Sequence, residues 1–287
     1  MPEARVVEIH RYPVKSMLGE RLESIEVRED GLRGDRSWAV RDDGRGGIEG
    51  GRKLPALLSC QARFLEDIAE TGPIPVPEIE LPSGERLRAN DPNAAAKLSA
   101  LASRPLSLWP RLPADDSDHY KRAAADKADM LEELHDIFAR LPDEPLPDLG
   151  KLPAAILTAS TLPGTYFDCF PLFLLTTTSL ESLGQANPTS QFDVRRFRPN
   201  LLLESDVGVG YPENAWVGKR IRVGTTVFSI ETECPRCVMT THALADLPKD
   251  PKIMRTLVQE NGGNIGVYAA ITEPGIVREG DAVEIID

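Results

Sequence analysis

The chain has 287 residues, enough for one large or two modest domains with real cores, and 41% of them are hydrophobic, as in a globular protein. A formal net charge of −12 argues against nucleic acid or an anionic membrane as a partner, and no apolar run approaches the roughly 18 residues a bilayer span needs. The four cysteines, at 60, 169, 234 and 237, are too scattered for a disulfide framework, and Met1–Arg5 leads into a strand with no signal-peptide pattern, so a cytoplasmic location is expected.

In chain order, Val6–Tyr12 and Arg21–Val27 alternate apolar with polar residues, the period of half-buried strands. Ser37–Val40 reads as a further strand, with Asp42-Asp43-Gly44 as a hairpin turn. Asp91-Pro92 opens a helix expected to reach Ser103 and stop ahead of Pro105. Residues 112–165 are the least regular. Between Asp115 and Asp148 eleven acidic side chains face four basic ones, so most of the net charge lies in this stretch. One helix is legible there, with Leu131, Leu134, Ile137, Phe138 and Leu141 at helical spacing and Pro142 ending the run. The segment reads as a surface insertion or lid.

From Tyr166 the β pattern returns. Leu172–Thr176, Leu201–Glu204, Lys219–Val223, Thr226–Glu231, Tyr268–Thr272 and Ala282–Ile286 are expected strands. Thr178-Ser-Leu-Glu181 has capping-box spacing and predicts a short helix. Asp250-Pro251 predicts another, with Ile253, Met254, Leu257 and Val258 inward and Gly262 or Gly263 at its end. Short strands, turns and a few helices predict a β-rich, barrel-like α+β protein. The organisation expected is an N-terminal β domain over 1–111, an acidic, proline-containing connection over 112–163, and a C-terminal domain over 164–287.

Four clusters carry potential chemistry. Cys234-Pro235-Arg236-Cys237 fits half a zinc site, a redox dithiol, one ligand cysteine beside a bystander, or simply a buried cysteine. Zinc needs four ligands, and beyond His242 no second close pair of Cys or His follows. Lys15-Ser16, after Tyr12-Pro13-Val14, offers a cation and a hydroxyl on a turn, suited to phosphate. Gly34-Asp35-Arg36 offers another cation or a plain ion pair. Arg195-Arg196-Phe197-Arg198-Pro199-Asn200 packs three arginines into four residues, a repulsive set unless solvated or neutralised by an anion, and Asn200 can read the edge of a heterocycle.

The order of these clusters resembles the MOSC superfamily. The motifs are Y-P-V-K-S at 12–16, G-L-x-G-D-R at 31–36, F-D-x-F-P-L-x-L-L-T at 167–176, R-R-F-R-P-N at 195–200, W-x-G at 216–218 and C-P-R-C at 234–237. More closely, the chain is similar to proteins in which a MOSC N-terminal β-barrel domain precedes the MOSC domain, a group that includes the mitochondrial amidoxime-reducing component and its bacterial relatives. The resemblance covers about 5–110 and 164–287. It implies a molybdenum–pterin cofactor with Cys237 as the metal ligand and Lys15, Ser16 and Arg36 on its phosphate and pterin. Arg198 and Asn200 would contact the pterin, with Arg196 beside them in the same motif. Asp168 would lie near the reacting centre, and Asp168 and His242 are the candidate proton donors. Cys169 and Phe170 depart from the small hydroxylated residues of the eukaryotic relatives. Arg236 is expected to favour the Cys237 thiolate.

The activity implied is reduction of small N-hydroxylated compounds to the amine plus water. Electrons would come from a separate protein of ferredoxin or cytochrome/flavin-reductase type, since the cysteine spacings fit no iron–sulfur cluster and no glycine-rich dinucleotide motif follows a strand. The alternative is a cofactor or sulfur carrier, although the cofactor sulfurases in which MOSC domains occur rely on a separate pyridoxal-phosphate domain, for which these 287 residues are expected to leave no room.

Overall fold

The computed structural model describes residues 3–69, 71–206 and 208–287. Its centre is a closed seven-strand barrel within a β-rich α+β fold of 31% strand and 24% helix, as the patterning predicts. Around the barrel run Leu201–Ser205, Leu172–Thr176, Asn264–Glu273, Thr226–Pro235, Arg220–Val223, Ala282–Ile285 and Ala4–Arg11, which pairs again with Leu201–Ser205 and closes the ring. The first strand of the chain is therefore hydrogen-bonded on both sides by strands from the C-terminal half. Among the described barrel strands only the pair Leu172–Thr176 and Leu201–Ser205 is parallel, bridged by the helix Thr177–Ala186.

Period-two side chains fill the barrel: Val6, Ile9, Leu174, Leu203, Phe228, Val267 and Val283 belong to one core. The opposite faces of several strands are also covered. Phe173, Leu175, Leu202 and Cys234 pack with Leu183 and with Ile253, Met254 and Leu257 of the helix Lys252–Asn261. This is why Leu172–Leu175 is continuously apolar, as a strand buried on both faces must be.

A second core lies under the N-terminal sheets, where Val14, Met17, Val40, Leu57, Ile79 and Leu98 meet. Trp38–Asp42 is the central strand there, between Leu106–Pro110 and Gly47–Glu49. The helix Pro92–Ala102 is capped as expected, the Asp91 carboxylate accepting from the Asn93 N–H at 2.7 Å.

Several elements differ from the sequence expectation. Arg21–Val27 is two strands, because Glu20–Leu22 follows the first barrel strand while Ser24–Arg28 pairs with Gly275–Arg278. The strand from Thr226 runs on to Pro235, into the C-P-R-C motif, since Asn264–Glu273 offers partners that far. The helix cap falls at Thr176, whose hydroxyl accepts from the Ser179 N–H, and Thr178 is inside the helix. In the acidic segment the helix is Met130–Ile137, capped by Asp129. Its periodic leucines do not all point inward: Leu131 and Leu141 are exposed, and Phe138 is the buried member of the set.

Candidate functional site

The sequence clusters converge on one cleft at the barrel rim. The strand ending at Arg11 delivers Tyr12 and then Lys15-Ser16, where Ser16 takes a left-handed φ of 67°. Arg36 and Arg198 are also left-handed, at 45° and 61°, an uncommon conformation for residues other than glycine, asparagine and aspartate. Both guanidinium groups lie over the Tyr12 ring, at 5.1 and 4.2 Å from its centroid. The buried Asp35 carboxylate holds this arrangement, accepting from the Tyr12 N–H at 2.7 Å, from the Asn200 amide at 3.0 Å and from Arg36. Arg236 enters from the other side over the Phe173 ring, donating to the Phe197 carbonyl at 2.8 Å and to the Cys234 sulfur at 3.0 Å.

Lys15 is almost wholly buried, and its Nζ donates to the Tyr166 carbonyl at 3.0 Å and to Asp168 Oδ1 at 2.5 Å. The Asp168 side chain retains 73% of its accessibility at the cleft mouth. Desolvation by the surrounding protein raises the Asp168 pKa, but Lys15, Arg36 and Arg236 together outweigh it and hold the carboxyl below its ordinary value. Burial lowers Arg198 to about 10, against its attraction to Tyr12, Asp35 and Asp168. Four cations, Lys15, Arg36, Arg198 and Arg236, thus face two carboxylates, and Nη2 of Arg198 and Nε of Arg236 are buried without a hydrogen-bond partner. Unspent donors in a positively charged cleft point to an anionic ligand.

Cys237 is partly exposed, between the cleft-lining residues Arg236 and Met239. Arg236 does favour its thiolate, as expected from the sequence, but burial outweighs that effect. Burial pushes the Cys237 thiol up more strongly than the Met239 N–H and Arg236 pull it down, and the Arg236 Nη1 is committed to Cys234. Cys234 is fully buried. Among the described residues no three His, Cys, Asp or Glu side chains gather as a metal cage, so nothing in the arrangement favours the zinc alternative. A metal on Cys237 would draw its other donors from a bound group, as a dithiolene-bearing pterin supplies them.

Two expected contacts fall elsewhere. Arg196 does not face the cleft. It donates to the carbonyls of Gln191, Thr240, His242 and Pro248 at 2.7 to 3.3 Å, stapling the loop after Cys237. A buried guanidinium takes whatever acceptors surround it, and here they are all backbone oxygens. His242 is also outside the lining, its Nε2 donating to the Arg52 carbonyl at 3.3 Å. Asn200 does line the cleft, yet its amide is spent on His10, Asp35, Arg36 and the Phe173 N–H. Sequence reasoning missed Tyr12 and Asp35 as organisers. It also missed Gly50-Gly51, where a Cβ would come within 2.8 Å of Ser16 Oγ and 3.0 Å of Met239 Sδ. The Gly-Gly pair itself was the available signal.

The cleft encloses only about 50 Å³. A larger groove of about 1110 Å³ runs past Arg11, Glu26, Arg33 and Ile276, but none of the sequence-predicted site residues lines it, whereas Arg36, Asp168, Arg198 and Asn200 line the small cleft.

The MOSC domain family matches residues 161–284 and the MOSC N-terminal beta barrel domain matches residues 3–80, together most of the chain. The chain belongs to the MOSC-domain proteins that carry this N-terminal barrel domain. MOSC domains are linked to molybdenum-cofactor binding. Among solved structures it is similar to the YuaD protein of Bacillus subtilis, at 11% identity and a TM-score of 0.46, over 98% of this chain and 94% of that one. It also matches YiiM of Geobacillus stearothermophilus and of Escherichia coli, at 17% and 15% identity with TM-scores of 0.31 and 0.32. Each covers 41% of this chain and 55% of the other. No curated protein matches. Among the described residues no helix is long and apolar enough to cross a membrane.

Proposed function

We propose that this chain is a cytoplasmic molybdenum-cofactor-dependent oxidoreductase that reduces N-hydroxylated compounds to the amine plus water, with electrons from a separate donor protein. The observation that carries the reading is the buried cationic cleft, with unspent guanidinium N–H groups, beside the partly exposed residue Cys237. Cys237 would hold the metal, Lys15 and Ser16 the phosphate, and Arg36 and Arg198 the phosphate and pterin. The cofactor, when bound, supplies the two-electron and oxygen-accepting chemistry; the protein supplies position and charge.

The chain's own contribution follows from its geometry. The Tyr12 ring offers its π face to both the Arg36 and the Arg198 guanidinium, which still repel each other, and Asp35 fixes Arg36 and Asn200 in place. Asp168, beside Lys15 and open to solvent, is the titratable carboxyl at the mouth and the better placed of the two proton-donor candidates. A space of about 50 Å³ is too small for a pterin, so the side chains lining the cleft would have to move as the cofactor enters.

The test is to make the protein in a host that synthesises the cofactor, measure molybdenum and pterin per chain, and assay benzamidoxime and hydroxylamine with a reduced dye. Loading near one per chain with turnover is expected. Loading without turnover favours the carrier, and no loading removes the reading altogether.

A further inference from the structure

The Lys15–Asp168 pair joins a side chain that is 7% accessible to one that is 73% accessible. Of the cleft's two carboxylates, Asp35 is spent internally on Tyr12, Asn200 and Arg36. Asp168 pairs with Lys15 and is the exposed member of the pair. We propose that Asp168 is a specificity-determining residue: a tethered counter-ion that occupies the anion position on Lys15 and must be displaced by the ligand's phosphate. The proposal rests on the reading of this cleft as a phosphate-bearing cofactor site.

The physical consequence is a threshold. An entering anion gains the Lys15 ammonium only by giving up the Lys15–Asp168 attraction and by approaching a displaced carboxylate. Chloride or a simple carboxylate merely exchanges one monoanion for another and gains nothing. A phosphate monoester carries close to two charges near neutral pH and has three acceptor oxygens. Nη2 of Arg198 and Nε of Arg236 are buried without partners in the same cation cluster, so a multiply charged ligand that displaces Asp168 has further donors to recruit. Lys15 is kept charge-compensated when the cleft is empty, yet the cleft is selective for a multiply held dianion when filled. Because the Asp168 side chain is exposed, its release disrupts no packing.

The experiment is calorimetric titration of inorganic phosphate, and of acetate as the monoanion, into protein made in a host lacking the pterin pathway. Wild type, Asp168→Asn, Asp168→Ala and Lys15→Met are compared, with circular dichroism as the folding control. Both Asp168 variants should bind phosphate at least about tenfold more tightly than wild type, acetate affinity should rise as well, and Lys15→Met should lose phosphate binding. Phosphate affinity unchanged or weakened in both Asp168 variants overturns the proposal. If phosphate binds as expected but no molybdenum–pterin ever loads, the function proposed above fails while the counter-ion role stands.

Discussion

Cys234 and Cys237 are three residues apart but occupy different environments. Cys234 is on the terminal stretch of a barrel strand, fully buried and bonded by Arg236; Cys237 starts the following turn and is partly exposed. A dithiol or half a zinc site would make them equivalent. Here Cys237→Ser, which replaces a soft ligand by a hard, poorly ionised hydroxyl, should abolish molybdenum retention and amidoxime reduction. Cys234→Ser keeps an acceptor for Arg236, so it should retain metal and most activity at a cost of about 1 kcal/mol in stability. Molybdenum content and dye-driven turnover measured on both variants side by side decide the matter, and equal loss would restore the dithiol.

At the scale of elements, two contacts fix parts of the chain that sequence patterns treat as unrelated. The buried Glu213 carboxylate accepts from the hydroxyls of Thr176 and Ser179, joining the Pro212–Trp216 turn to the first turn of Thr177–Ala186. Burial raises its pKa, and the hydroxyl bonds only partly offset this. Its folded value therefore lies above its unfolded value, so the contribution to stability is full below the ordinary carboxylate range and is lost as pH rises through the folded value. Glu213→Gln should be relatively more stable as pH increases, so the melting-temperature difference from wild type should drift in the variant's favour between acid and neutral pH. A pH-independent difference would contradict this.

The second contact ties the acidic segment to the barrel. Arg140 donates to the Gly262 carbonyl at 2.7 Å, and Arg255 pairs with Glu144 at 2.6 Å. The neighbouring Gly263, at φ 83°, has no room for a side chain: a Cβ would lie 2.1 Å from Arg140. Gly263 also accepts from the Arg236 N–H, so the tie reaches the C-P-R-C turn. Gly263→Ala should cost about 1–3 kcal/mol through backbone strain and should release the segment. Limited proteolysis within 122–160 should then accelerate, as it should in Arg140→Ala; resistance equal to wild type in both would refute the tie.

For the whole molecule, the decisive feature is that Ala4–Arg11 closes the barrel from the opposite end of the chain, a non-local pairing with Leu201–Ser205. Ile9 is fully buried at that seam. Ile9→Ala should cost roughly 2–5 kcal/mol, comparable to core truncations elsewhere. Because the N- and C-terminal strands share one barrel, its unfolding should lower the denaturation midpoint as a single transition. Two separated transitions, with only one of them shifted, would show that the N-terminal strand is dispensable to the barrel.

The sequence by itself determined the strands with clean period two, the capped helix at Asp91, the helix ended by Gly262 and the clusters that belong together. Each depends on local chemistry: alternation, a carboxylate at an N-cap, glycine at a left-handed cap, or residue types suited to an anion. It could not show which arginines in Arg195–Arg198 face the cleft. That choice depends on acceptors from distant segments: backbone carbonyls near Thr240 take Arg196, while Tyr12 and Met17 receive Arg198. Nor could it show that Arg236 turns to Cys234, that Asn200 spends its amide internally, or that Asp168 rests on Lys15. Those pairings join residues from about 150 to 190 positions apart in several cases, and only the closed barrel brings them within hydrogen-bond reach.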